Sequence, residues 1–150
     1  MAGKDDDSMR SIWARLQKDL AGSWTATAPN GSTIKASYKL VSNSTALVET
    51  YVTQSGTETI SVYHADSTSL MLTHYCAQGR QARLKASDAS ADRIEYMFLD
   101  ATNVTGRQAV LNDLSIHFSA KGFDRTDVYR ESDGTLDSTV LHFFRSDSTV

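Results

Sequence analysis

The chain has one cysteine and one proline in 150 residues. A single thiol rules out an intramolecular disulfide, so the chain asks for no oxidising compartment and a cytoplasmic location is expected. Basic residues do not dominate. Lys and Arg number 15 against 18 Asp and Glu, a net charge of −3, and no basic run occurs. That balance argues against a nucleic-acid footprint and against an anionic membrane surface as partners. No apolar run approaches the roughly 20 residues of a spanning helix. The polar, acidic start of the chain lacks the basic and apolar regions of a secretory leader. Zinc spacing, a glycine-rich phosphate loop and a nucleophile elbow are all missing, so no metal and no cofactor are expected.

What remains is ordinary globular material, 40% hydrophobic and 22% charged. At this length it makes one domain, residues 1–150, able to bury a core without staples. Residues 8–21 read as a helix. Ile12, Leu16 and Leu20 recur every four residues beside Trp13, and Gly22 stands in the usual terminating place. The acidic run Asp5-Asp6-Asp7 suits the positive end of that helix, while residues 1–7 are expected to be unstructured.

After Gly22 the period changes from four to two. Segments 24–28, 32–40, 45–53, 58–65, 69–76, 81–87, 93–99, 111–120, 123–131 and 138–145 each read as a strand. Turn signals separate them, Pro29-Asn30-Gly31 and Asp133-Gly134 among them, and residues 100–108 read as the longest loop. About ten strands at this spacing, with no helix between them, predict an all-β antiparallel meander. Closure into an up-and-down barrel removes its exposed edges, and the N-terminal helix caps one end.

The junction Leu20-Ala21-Gly22-Ser23-Trp24 resembles the Gly-x-Trp entry of calycins, the lipocalin and fatty-acid-binding superfamily. Ala46-Leu47-Val48-Glu49, Tyr63-His64, Leu72-Thr73-His74-Tyr75-Cys76 and Gln81-Ala82-Arg83-Leu84 are similar to segments of a group of calycin-like barrel proteins. Where that group reads Gly-Asn-Gln-Pro-Arg, this chain has Gly79-Arg80-Gln81-Ala82-Arg83. The resemblance implies a barrel with an internal cavity and implies no reaction. His142-Phe143-Phe144-Arg145 resembles the last strand of haem-binding nitrobindin-like barrels, where a late histidine holds iron. The glycine-rich segment those proteins carry after the Trp is replaced here by Thr25-Ala26-Thr27-Ala28.

Candidate site residues depend on which faces turn inward. A two-residue loop at Asp66-Ser67 groups Ile60, Val62 and His64 with Met71, Thr73 and Tyr75, and Tyr63 with Leu72, His74 and Cys76. A four-residue loop groups Ile60, Val62, His64, Leu70, Leu72, His74 and Cys76, and is preferred as the more apolar face with both histidines inside. His74 is the candidate acid or base, or a ligand to a metal or haem iron, with Tyr75 or Glu49 assisting. Cys76 shares its face. Glu49 and Arg83 form an ion pair if both point inward, or Arg83 receives a ligand carboxylate. Trp24, Tyr38 and Tyr96 lie on apolar strand faces, and His64, His117 and His142 complete the polar candidates. The expected function is binding of a small, mostly apolar or amphipathic ligand in the barrel, by a monomer or homodimer. The alternatives are an enzyme using the same cavity through His74, haem binding, and an interaction module with a filled barrel.

Overall fold

A computed structural model describes residues 4–104 and 109–146. Helix α1 (Lys4–Arg15) runs on as a wider turn, Leu16–Leu20. Ten strands follow: β1 (Gly22–Thr27), β2 (Thr33–Val41), β3 (Ala46–Val52), β4 (Glu58–Asp66), β5 (Ser69–Tyr75), β6 (Gln81–Ala89), β7 (Arg93–Thr102), β8 (Val110–Phe118), β9 (Gly122–Arg130) and β10 (Leu136–Arg145). Each pairs antiparallel with its neighbours in sequence, and β1 pairs with β10 to close the barrel. This is the expected up-and-down barrel with one N-terminal helix, a layout compatible with a calycin-like fold.

The helix starts earlier than predicted. Asp6 and Asp7 lie in its first turns, and Arg10 pairs with Asp7 at 2.8 Å. Negative charge there is stabilised by the unpaired N–H groups of the helix start, so residues 4–7 are helical rather than unstructured. Residues 1–3 lie outside the described residues. Ile12, Leu16 and Leu20 are fully buried. Their spacing of four overshoots an α-helical turn, and the wider winding from Leu16 returns the stripe to the barrel. Arg15 reaches the Ala91 carbonyl at 3.3 Å and lies 4.4 Å over the Phe118 ring, while Gln17 donates to the Ser44 carbonyl at 2.8 Å. Those partners define the closed end. Replacing Leu16 by Ala is expected to cost about 2–5 kcal/mol, read as a lower denaturant midpoint at unchanged slope.

The closing seam is short. Among the described residues, Trp24↔Arg145 and Thr25↔Phe144 pair between β1 and β10, and the Ser146 N–H donates to the Ser23 carbonyl at 3.0 Å. Side chains complete it. Arg145 donates to the carbonyls of Ala21 (2.7 Å) and Asp19 (3.0 Å) at the helix end and stacks 4.2 Å over Trp24. Trp24 Nε1 donates to the Leu20 carbonyl at 2.8 Å. These bonds satisfy carbonyls that a helix end leaves without intrahelical donors. Gly122 faces Phe144 across β9 and β10. A Cβ there would stand 1.9 Å from the Phe143 carbonyl oxygen. Gly122→Ala is therefore expected to force the two strands apart and cost about 2 kcal/mol or more by chemical denaturation.

The opposite end is open, and four of its five connections share one construction. The turns Ala28–Ser32, Thr53–Thr57, Cys76–Arg80 and Glu131–Thr135 are each closed by an N–H to C=O bond of 2.8–3.0 Å between their first and last residues. The fourth residue is glycine in every case, at a positive φ of 86–93°. This is a tight turn followed by a glycine bulge. It sets these turns apart from the closed-end ones, where Ser42, Asn43, Ser44 and Ser67 take the left-handed conformation. The expected long loop is shorter than predicted, because β7 runs to Thr102. Residues 105–108 of that loop lie outside the described residues.

The closed half of the interior is filled by the protein itself. Phe123 packs edge-on to Trp24 (4.8 Å) and Tyr38 (6.0 Å) and stacks on Phe143 (4.9 Å). Leu47, Leu72, Leu84, Ile94, Leu114 and Ile116 are fully buried around it. The polar side chains gather above this layer, toward the open end.

Candidate functional site

Register builds the site. Tyr38 lies opposite Glu49, Glu49 opposite Ser61 and Ser61 opposite His74, so four inward side chains line up across β2 to β5. From the far wall, β9 sends Phe123, Arg125, Asp127 and Tyr129 inward on alternate residues. Arg125 spans the lumen. Its Nη1 donates to Glu49 Oε1, while Nε and Nη2 grip the two Asp127 oxygens at 2.8 and 3.1 Å. Glu49 Oε1 also accepts from Tyr38 (2.6 Å) and Tyr63 (3.2 Å). Its Oε2 is buried and has no partner among the described residues. Arg125 is 2% and Glu49 0% exposed, so this is a buried ion pair joining opposite walls.

The electrostatics follow from burial. Burial, then the Glu49 charge, raises the Tyr38 and Tyr63 hydroxyls well above the ordinary phenol value, so both remain donors. Burial likewise raises Tyr51 and Tyr129. Desolvation opposes the Arg125 charge, but Asp127 and Glu49 together outweigh it and hold the guanidinium charged. His74 Nδ1 shares a 2.8 Å hydrogen bond with Ser61 Oγ. Burial, reinforced by Arg125, lowers the imidazole below its usual value of 6.5, so the ring is neutral at pH 7. A lowered folded value means that the unfolded chain binds the proton more readily. His74 thus contributes stability that is complete above about pH 6.5 and is lost as the pH falls toward the folded value. Melts between pH 7.5 and 5 are expected to show wild type losing more stability than His74→Gln, with an added slope of at most about 1.4 kcal/mol per pH unit. Equal slopes would place His74 in water.

Above the ion pair lies a recess of about 250 Å³, lined by Tyr51, His74, Cys76, Gln78, Asp127 and Tyr129 together with Arg125 and Leu141. Its walls carry phenols, an imidazole and a thiol, and its floor is the charged centre. A larger, shallow groove of about 500 Å³ crosses the outer wall over Ser23, Lys35, Ser37 and Thr50. Its one charged lining side chain, Lys35, is exposed and no buried charge adjoins it, so the chemistry belongs to the recess. No family model and no curated protein matches this chain.

The site unites Tyr38, Glu49, His74 and Cys76 from the sequence candidates and leaves others elsewhere. Trp24 is core. Tyr96 is fully buried edge-on to Tyr63 at 5.8 Å, and its hydroxyl has no partner among the described residues. His64 is on the outer wall. The β4–β5 hairpin pairs Asp66 with Ser69, which overturns the preferred four-residue loop and puts Ile60, Val62 and His64 on the outer face with Thr73, Tyr75 and Met71, the last of them covered there. Tyr63 takes the inward place, and Tyr75 cannot assist His74. Arg83 also points outward, because Ala82 and Leu84 on either side are buried. It pairs with Asp100 through a 2.7 Å bond from Nε. Glu49 does have an inward arginine partner, but it is Arg125. His142 and His117 are exposed beside Asp124 and Asp92, so neither reaches the lumen as an iron ligand. No group of three or more His, Cys, Asp or Glu side chains suited to a metal occurs among the described residues. No helix among them is long and apolar enough to cross a membrane.

Proposed function

We propose that this chain is a calycin-type binding barrel that holds a small amphipathic ligand in the open-end recess, in the cytoplasm. The observation that carries the reading is the Glu49–Arg125–Asp127 centre at the floor of that recess. A buried ion pair stabilises a fold less than well-packed apolar residues of the same volume do. A barrel needing only a core would have continued the Phe123 layer upward. Polar groups with shifted proton affinities, converging on a concave site, are the arrangement expected of ligand recognition. The recess is smaller than the roughly 300–1,000 Å³ of sites for drug-sized molecules, so its ligand has on the order of a dozen heavy atoms. An apolar or aromatic body fits against Tyr51, Tyr129 and Leu141, with its polar end toward His74 and Arg125. A long acyl chain has no space below, where the closed half is filled.

The test is native mass spectrometry with a visible absorption spectrum on protein as purified. The expected result is a non-covalent adduct of roughly 100–300 Da without a haem band. An adduct with the mass of a long-chain lipid or haem would contradict the reading.

Catalysis at the same recess is the second reading, favoured by the neutral imidazole of His74 beside it. Ser61, its partner, is fully buried and cannot reach a substrate as nucleophile. His74 would therefore act as a proton acceptor. Incubating the identified ligand with wild type and with His74→Gln separates the readings. Binding alone leaves the ligand unchanged, whereas conversion lost in the variant marks catalysis.

A further inference from the structure

Arg80 is the last residue of the Cys76–Arg80 turn, yet it is only 1% exposed. Parity explains the burial: Arg80, Ala82 and Leu84 alternate inward along β6. The guanidinium has one partner among the described residues, the amide oxygen of Gln78, which accepts from Nη2. Nε and Nη1 are buried with no partner, and no carboxylate pairs with Arg80 among the described residues. A dry, charged group with two unused donors is a costly arrangement that a counter-ion would relieve. Gln78 is exposed and lines the recess, so the side chain that occupies Arg80 Nη2 is also part of the recess wall.

The geometry points to Arg80 as the anchor for a carboxylate on the ligand of the recess, with Gln78 as its internal placeholder; this rests on the recess being the binding site. A guanidinium offers a carboxylate two bidentate faces, Nε with Nη2 and Nη1 with Nη2. Nη2 belongs to both, and Nη2 is the atom that Gln78 occupies. Displacing one amide oxygen therefore opens either fork, and the two carboxylate oxygens replace one acceptor with two. Arg125 cannot serve in this way, since all three of its nitrogens are engaged by Glu49 and Asp127. A monoanion suits the site better than a doubly charged phosphate, because Asp127 also lines the recess.

Benzoate and benzamide, alike in shape and different in charge, are the probes. They are titrated into ¹⁵N-labelled wild type, Gln78→Ala and Arg80→Gln, following the backbone signals of His74 and Tyr129 and the Nε–H signals of arginine. Benzoate is expected to bind more tightly than benzamide and to shift the Arg80 Nε–H. Gln78→Ala is expected to raise the affinity of benzoate relative to benzamide roughly three- to tenfold, the worth of one removed competing hydrogen bond. Arg80→Gln is expected to level the two probes. Should that variant fail to fold, Gln78→Ala carries the test alone, since Gln78 is exposed. Equal binding of both probes in the recess of wild type and Gln78→Ala would overturn the role of Arg80 and leave the recess standing. Failure of both probes at millimolar concentration to shift His74 or Tyr129 would overturn the recess and this inference with it.

Discussion

Glu49→Ala is expected to lower the unfolding free energy by about 3–5 kcal/mol, a fall in Tm of roughly 10 °C for a domain of this size. The carboxylate is the common acceptor for Arg125, Tyr38 and Tyr63. Its removal leaves two buried phenols without an acceptor and one buried guanidinium nitrogen without a counter-charge. Each such group bears a desolvation penalty once its partner is gone. Asp127 still neutralises Arg125 through Nε and Nη2, which keeps the loss from growing further. The double variant Glu49→Leu with Arg125→Met removes both charges together. Its cost is expected to fall below the sum of the two single changes by about 1–3 kcal/mol, measured as a coupling energy in urea. Additive costs would mean that the two side chains do not meet across the lumen.

Phe123→Ala is expected to cost a further class of energy, about 3–5 kcal/mol from lost transfer and an unfilled cavity. The ring is 1% exposed and touches Trp24, Tyr38, Phe118 and Phe143. Edge-on and stacked contacts of this kind add to the buried area itself. The near-ultraviolet circular dichroism of Trp24 should weaken with the loss of its edge-on neighbour, even in variants that stay folded. A cost below about 1 kcal/mol would show a loosely packed closed half, and the argument against a deep lipid cavity would fail with it.

Strand number and order were legible because period-two patterning and turn signals recur every ten to twelve residues and little competes with them. The helix start was not. Three consecutive aspartates suit the positive end of a helix but read equally well as a polar tail ahead of it. The inward face of β5 was ambiguous for a sharper reason. His64 and His74 lie on opposite sides of a hairpin whose register shifts every side chain by parity, and Ile60 and Val62 make an outer wall look like a core. Outer-wall apolar residues are ordinary on a protein surface, so an apolar alternation does not by itself mark the lumen.

The ion pair was half legible. Glu49 sits mid-strand between Leu47 and Tyr51 on one parity, a visible signal for an inward carboxylate. Arg83 offered itself as partner because it lay within a conspicuous segment, but its neighbours Ala82 and Leu84 claim the interior. Arg125 carries an equivalent signal, since it shares parity with Phe123, Asp127 and Tyr129 on β9. The join between Glu49 and Arg125 crosses 76 residues of chain, a contact that no local pattern contains. Arg80 was the least legible, since a charged residue in a glycine turn is normally solvated, and its burial emerges only from the parity of β6.

The most direct test of the binding site is a fragment screen by two-dimensional NMR on ¹⁵N-labelled protein. The expected result is that fragments of about a dozen heavy atoms shift a single cluster of signals, those of Tyr51, His74, Cys76, Gln78, Asp127 and Tyr129. Shifts confined to the outer groove around Ser23, Lys35 and Thr50, or no binders at all, would contradict the account.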